Sequence, residues 1–184
     1  MKKICLFVIC LPLLVFSQFS NQADRYSNKR FKDSVIQEIF ILVNQHRVSN
    51  HIHELKWCKK LQKSCISHSK YMSYDDYHCH KEINQKNPYY KGDQCWDRTN
   101  IKMCGENVLA AYEFNGHDAA TWLLATKKIR NAKEIALRMF TEWKLSPGHN
   151  RNMLRKRWNY MAFDYYAYNA QKSYDKFYAT QLFR

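Results

Sequence analysis

The C-terminal part of the chain repeats its apolar side chains at every second position, and this period is the one that a β-strand uses. One alternate set consists of Met161, Phe163 and Tyr165. A polar turn at residues 169–173 follows, and a second aromatic-rich run ends at Phe183. Alternation on both sides of a turn predicts a β-hairpin. The fold must therefore contain an antiparallel pair of strands.

Two segments nearer the start have a helical period instead. Apolar residues recur three or four apart in residues 31–47, directly after the helix-start signals Asp33 and Ser34. A narrower stripe runs through residues 57–72 and includes His68, which we expect to be a hydrogen-bonded core residue. Further helices are predicted at 119–124 and 131–143, and a short one after Pro147, because proline is tolerated in a first helical turn. Periodicity alone indicates a mixed α and β protein.

The first 17 residues have the composition of a signal peptide. Lys2 and Lys3 precede the apolar run of residues 4–16, and a plausible cleavage site follows Ser17. We predict a signal peptide at 1–17, an N-terminal leader at 18–30 and a single domain at 31–184. The apolar run is too short to span a bilayer comfortably, so a membrane anchor is not expected. The sequence thus predicts a secreted, extracellular protein.

The exported chain would be strongly basic. Its formal charge of +14 becomes 28 minus 16, or +12, once the two lysines of the signal peptide are removed. A charge of this size favours attraction to anionic polymers or membrane surfaces, although solubility alone also explains it. Lysine and arginine are spread along the whole chain, whereas nucleic-acid binders concentrate them on one face. No nucleic-acid partner is therefore expected.

Five cysteines remain after export, so at least one must stay unpaired within a single molecule. Cys58 and Cys65 lie on one predicted helix about 10 Å apart, which is too far for a disulfide. The other three, Cys79, Cys95 and Cys104, lie in the turn-rich segment 73–104. We expect one loop-closing disulfide among these three. Zinc is the rival interpretation, but close Cys-x-x-Cys pairs are absent.

Three separated motifs carry a family resemblance. They are Asn44 and Arg47; Gly105-Glu106-Asn107; and Trp143 with Ser146-Pro147-Gly148-His149 and Asn152-Met153-Leu154. In this order and spacing the chain resembles the CAP superfamily (cysteine-rich secretory proteins, antigen 5, pathogenesis-related 1), most closely its bacterial secreted SCP-like branch. The resemblance covers residues 33–184. It implies an α+β fold, a three-layer α-β-α sandwich around an antiparallel sheet, in which Asn44 and Arg47 have packing and loop-tying roles.

The resemblance also implies a shallow cleft lined by two histidines and two glutamates. Glu106 and His149 match two of these positions, and His80 is the better match for the second histidine, with His78 as the alternative. Ser146 stands where the second glutamate is expected, and Glu142 precedes Trp143 instead, so the set of four is predicted to be incomplete. Asn107 joins the cleft beside Glu106. A bland interpretation remains for each residue: a lone histidine is usually structural, and Glu106 could cap a helix start.

The leading functional hypothesis is a secreted, non-enzymatic binding module. The resemblance implies lipids or sterols, envelope components or extracellular proteins as its partners, and a lipid carrier is one form of this hypothesis. The alternative is a metal-dependent hydrolase or protease that uses His80, Glu106 and His149, with a divalent metal such as zinc on His80 and His149. No serine or cysteine nucleophile stands beside an identifiable base, which argues against a metal-independent protease.

Overall fold

The computed structural model describes residues 26–112, 131–169 and 175–184. The helices are α1 (Lys29–Ser49), α2 (Lys59–Tyr74), α3 (Cys95–Thr99), α4 (Ala132–Leu145) and α5 (Pro147–Met153), and the strands are β1 (Lys56–Trp57), β2 (Gly105–Tyr112), β3 (Tyr160–Asn169) and β4 (Asp175–Phe183). The predicted signal peptide, most of the predicted leader and the predicted helix at 119–124 lie outside the described residues. Within those residues no helix has the length and apolar character needed to cross a bilayer.

The two N-terminal helices form close to where the periodicity predicts them. Asn28 caps α1 by accepting hydrogen bonds from the amides of Arg30 at 3.1 Å and Phe31 at 3.3 Å. The prediction for α2 was two residues early at its start, because Trp57 belongs to β1. The backbone on either side of Trp57 pairs with β3 and the residue before it: Lys56 N donates to Asn159 O, and Cys58 N donates to Met161 O, both at 2.9 Å.

The sheet has the strand order β1-β3-β4-β2. The predicted hairpin is confirmed as the antiparallel pair β3–β4, in which Phe163 lies opposite Gln181. The short β1 runs parallel to β3 and so makes the sheet mixed. Strand β2 was not predicted, since Gly105 and Glu106 had suggested a helix start. They are instead the first residues of a strand that pairs antiparallel with β4, with Glu106 opposite Leu182.

Helices cover both faces of this sheet. Alternate residues of β3 and β4, including Phe163, pack with the buried faces of α1, α4 and α5 in one large cluster. The intervening residues, including Ala162 and Leu182, pack with α2 in two smaller clusters. Alternate residues of these strands therefore pack into hydrophobic clusters on opposite faces of the sheet. The predicted three-layer α-β-α sandwich is confirmed.

Arg47, at the end of α1, ties distant loops to the core. Its guanidinium is fully buried and donates to the carbonyl oxygens of His53 at 2.9 Å, Met153 at 2.7 Å, Arg155 at 3.2 Å and Trp158 at 3.3 Å. Asn44 exchanges two hydrogen bonds with the backbone of Leu55, at 2.8 and 3.1 Å. These contacts match the loop-tying role predicted for both residues.

The predicted turn-rich segment carries one disulfide, between Cys95 and Cys104. The expectation of a single bridge within the three-cysteine pool is therefore confirmed. Cys58, Cys65 and Cys79 are free thiols. Burial raises the pKa of Cys79 to about 11 and that of Cys65 well above its usual value, so both remain protonated near neutral pH.

Candidate functional site

Glu106 lies at the start of β2, on the sheet face that α2 covers. Its side chain is only 5% exposed, and its carboxylate is paired with the guanidinium of Arg98. His80 Nδ1 lies 3.0 Å from Glu106 Oε1, and His68 Nε2 lies 3.9 Å from the same oxygen. The structure thus brings His80 and Glu106 into direct contact.

A second buried carboxylate, Glu82, lies beside this pair. Its Oε1 is 2.9 Å from His68 Nδ1 and 3.5 Å from Arg98 Nε, and its Oε2 accepts a 2.7 Å hydrogen bond from the amide of Lys91. The other ring nitrogen of His68, Nε2, is 2.9 Å from the carbonyl oxygen of Cys79. Both ring nitrogens of His68 therefore lie within hydrogen-bond distance of an oxygen atom. The predicted core role of His68 is confirmed.

Arg98 joins the two carboxylates and also holds the loop that carries His80. Its Nη1 donates to the carbonyl oxygens of His80 and Asp93, both at 3.1 Å, and of Gly92 at 3.5 Å. The guanidinium is fully buried. We name Glu82, Arg98, Glu106 and His68 the buried charge network. The guanidinium of Arg98 contacts both carboxylates, which offsets part of the free-energy cost of burying these charges.

The pKa of Glu106 is set by opposing effects. Burial, the largest effect, raises it, while the hydrogen bond from His80 and the charges of His68 and Arg98 lower it. The net result is a pKa below the ordinary glutamate value. Glu106 is consequently a buried, ionised carboxylate whose oxygens are already engaged.

His149 approaches the same edge of the sheet from α5, on the opposite face. Its ring is half-buried, and burial lowers its pKa, with the nearby charges of His80 and His78 lowering it further. Partial burial likewise lowers the pKa of His78, despite an opposing interaction with the backbone of Val108. The three imidazoles are thus electrostatic neighbours. His78 and His80 are exposed, with 56% of the His80 side chain accessible.

Asn107, in β2, holds α5 against the sheet through side-chain hydrogen bonds. It is fully buried; its Nδ2 donates to His149 O at 3.2 Å and to Gln181 Oε1 at 2.9 Å, and its Oδ1 accepts from Asn152 Nδ2 at 3.0 Å. The amide of Asn107 is therefore committed to protein contacts. Ser146 is half-buried at the junction of α4 and α5, and its carbonyl oxygen accepts from Asn150 N at 2.9 Å.

The donor set for a metal ion is small. Among the residues that the structure describes, no group of three or more histidine, cysteine, aspartate or glutamate side chains is arranged to hold a metal. Catalytic zinc sites usually use three protein ligands. Glu142, which precedes Trp143, is half-buried, and burial raises its pKa. The described residues do not match a catalytic zinc site.

Glu82 and Arg98 are the residues that sequence reasoning missed. Both lie in the turn-rich segment 73–104, where no hydrophobic period marks which charged side chains point inward. A glutamate and an arginine in such a segment ordinarily lie at the surface. The nearest sequence signal was the length of the segment, since long loops in compact domains are usually functional or otherwise tied down.

Comparison with known proteins agrees with this architecture. The sequence profile of the cysteine-rich secretory protein family, CAP, matches residues 40–183. An extracellular protein of Bacillus anthracis that contains an SCP domain has a similar structure, with a TM-score of 0.56 and 23% identity over 83% of this chain. The chain covers 40% of that protein.

An outer surface protein of Borrelia burgdorferi is also similar, with a TM-score of 0.55 and 13% identity; 83% of this chain and 92% of that chain are covered. No curated protein matches the sequence significantly. At these identities the solved structures establish the fold alone, whereas the profile match extends over most of the chain. The protein therefore belongs to the CAP family of cysteine-rich secretory proteins.

Proposed function

We propose that the protein is an extracellular CAP-domain binding module that holds a ligand at the edge of β2 without transforming it. The state of Glu106 is the observation that carries this proposal. A general base must be free to accept a proton, and a metal ligand must have a free oxygen lone pair. The Glu106 carboxylate is buried, paired with Arg98 and in contact with His80, and its pKa is lowered. It is suited to fixing the loop of His80 instead.

An extracellular setting is supported from three directions. The sequence predicts a signal peptide at 1–17, and the disulfide between Cys95 and Cys104 is a bond that persists in oxidising compartments. The similar proteins of Bacillus anthracis and Borrelia burgdorferi are described as extracellular and outer surface proteins. Secretion is the location that explains all three.

An amphipathic ligand, such as a lipid or sterol or a lipid-bearing envelope component, fits the chemistry of this edge best. Polar imidazoles are supplied by His80 and His149. The loop that carries His80 also exposes Tyr77 and Ile83, which are 61% and 68% accessible. Exposed aromatic and aliphatic side chains beside fixed polar groups are typical of surfaces that bind partners with one apolar and one polar part.

The test combines ligand and metal measurements on the same preparation. Native mass spectrometry would follow uptake of a lipid and sterol panel by the unaltered protein, by His80→Ala/His149→Ala and by the control His51→Asn. His51 is exposed and has φ 57°, a conformation that asparagine tolerates. We expect uptake by the unaltered protein and the control, and a loss of uptake by the double variant.

Hydrolysis of peptide and ester substrates would be measured in parallel during zinc and cadmium titration. Chelator-sensitive turnover that disappears in His149→Ala would contradict the binding-module proposal and favour the hydrolase. If the unaltered protein takes up no member of the panel, the proposal of an amphipathic ligand is contradicted.

A further inference from the structure

Basic side chains from separate parts of the chain collect at one end of the sheet. The ends of the four strands meet there, since Lys56 pairs with Tyr160, Gly105 pairs with Phe183, and Arg184 exchanges backbone hydrogen bonds with Tyr160. We name this region the basic end. Its exposed cations are Lys56, Lys59, Lys60, Lys102, Arg155, Lys156, Arg157 and Arg184.

Three of the guanidinium groups are held in place by aromatic rings. Arg157 and Arg155 lie 4.8 and 5.6 Å from the ring centre of Trp158, and Arg184 lies 4.4 Å from that of Tyr160. The indole is itself fixed, because it is 2% exposed and donates from Nε1 to Asn152 O at 3.1 Å. Arginine stacked in this way keeps its N–H groups available to an anion while losing little further freedom on binding.

These cations have little compensation from the protein. In the described ranges, none of the eight forms a salt bridge. Lys59 and Lys60 also occupy the first turn of α2, which contains no acidic residue. Cations are unfavourable at that end of a helix because the peptide dipoles already make it positive. An external anion would relieve both repulsions.

The shape of the basic end indicates what kind of anion it suits. The cations are distributed across four strands, a width of about 14 Å at the usual strand spacing. Met103, which is 54% exposed, follows Lys102 directly and adds an apolar side chain. A planar array of phosphates matches charges spread over an area, and an apolar side chain can enter between headgroups.

We propose that the basic end docks the protein on an anionic lipid surface. The proposal does not depend on a ligand bound beside His80 and His149. Phosphatidylcholine vesicles with and without phosphatidylglycerol would be sedimented with the unaltered protein, and binding is expected only with phosphatidylglycerol. Each basic side chain near an anionic surface contributes about fivefold to partitioning. Arg155→Gln/Arg157→Gln/Arg184→Gln should therefore bind about a hundredfold more weakly.

A matched control removes the same net charge elsewhere. Arg30→Gln/Lys86→Gln/Lys133→Gln changes three exposed residues outside the basic end and should retain most of the binding. Lys56→Gln/Lys59→Gln/Lys60→Gln tests the same surface without disturbing the stacked rings, and it should also weaken binding. Circular dichroism would establish that each variant is folded.

Three outcomes would overturn the proposal. Equal losses in the control and the basic-end variants would mean that only net charge matters. Equal binding to both vesicle types would show that the cations do not drive binding. Binding to soluble polyphosphate without binding to vesicles would assign the surface to a flexible polyanion instead of a membrane.

Discussion

Arg98 is the residue on which the geometry of the candidate site most depends. It contacts both buried carboxylates and three carbonyl oxygens of the loop that carries His80. Its planar array of donors suits this task, because several acceptors can be satisfied in one plane. The site is therefore organised by an arginine whose side chain is fully buried.

Replacing Arg98 should destabilise the whole domain. Arg98→Met leaves Glu82 and Glu106 buried without their shared cation, and breaking a buried ion pair in this way costs about 3–5 kcal/mol. Urea denaturation would measure the free energy of unfolding. Arg30→Met, at an exposed position, is the control and should change it by less than about 0.5 kcal/mol. A loss below about 1 kcal/mol in Arg98→Met would show that the network behaves as a surface ion pair.

At the scale of elements, β2 is the support on which the candidate site is assembled. Glu106 faces α2, while Asn107, the next residue, faces α5, because successive side chains of a strand point to opposite faces. Trp143 of α4 adds a further contact by donating from Nε1 to Val108 O at 3.2 Å. The loop of His80 and the helix of His149 are thus attached to neighbouring residues of one strand.

The first residue of β2 must be a glycine because there is no space there for a Cβ atom. A Cβ atom on Gly105 would lie 2.5 Å from Asn152 Oδ1 and 2.8 Å from Trp158 Cζ2. Asn152 and Trp158 are hydrogen-bonded to each other, so neither can yield easily. Gly105→Ala should destabilise the protein by about 1–3 kcal/mol in thermal or urea unfolding.

Gly148, in α5, provides the matched control. A Cβ atom there would meet no heavy atom within 4 Å. Gly148→Ala should leave stability unchanged or raise it by up to about 1 kcal/mol, because alanine favours the helix. Equal effects at the two glycines would contradict the packing argument.

The disulfide fixes the segment between α3 and β2. Cys95 and Cys104 are nine residues apart, and closing a loop of this size contributes about 2–3 kcal/mol through the unfolded state. Cys95→Ala/Cys104→Ala should lose about that much stability in urea unfolding under non-reducing conditions. Cys58→Ala removes a half-buried free thiol and should have a smaller effect. Unchanged stability of the double variant would mean that other contacts already order the segment.

At the scale of the whole molecule, the sheet separates two sets of contacts. The large core with α1, α4 and α5 is apolar, whereas the α2 side also encloses the buried charge network. The imidazoles of His78, His80 and His149 lie near the edge where the two sides meet. Protonation at that edge therefore affects the stability of the entire domain.

Stability should fall in two steps as the pH is lowered. The pKa values of folded His78 and His149 lie below the ordinary 6.5, so the unfolded chain binds protons first as the pH falls through about 6.5. The pKa of folded Glu106 lies below the ordinary 4.5, so its stabilisation persists above about 4.5 and is lost as the pH falls toward the folded value. Urea unfolding across this range would measure both steps.

A histidine variant separates the two steps. His78→Gln/His149→Gln should remove the decline near pH 6.5 and keep the decline below 4.5. A decline near pH 6.5 that persists unchanged in this variant would assign it to other groups.

Local patterns in the sequence were sufficient for most of the architecture. The helical stripe of α1 and the alternation in β3 and β4 depend on which face of one element is apolar. The spacing of apolar residues along the chain is sufficient to show that face. Trp57 and Gly105 were interpreted less accurately. The first belongs to a strand defined by its partner β3, and the second begins a strand that its partner β4 defines.

The sequence by itself determined the helical and strand periods and a single disulfide within a three-cysteine pool, and its family resemblance implied the sandwich and the cleft residues His80, Glu106 and His149. Only the tertiary structure decided that Glu106 is paired with Arg98, that Glu82 is buried against His68, and that the cations of the basic end meet. The physical reason is that periodicity reports the environment of one element. The charge state and the partners of a side chain depend instead on groups that distant segments bring within a few ångströms of it.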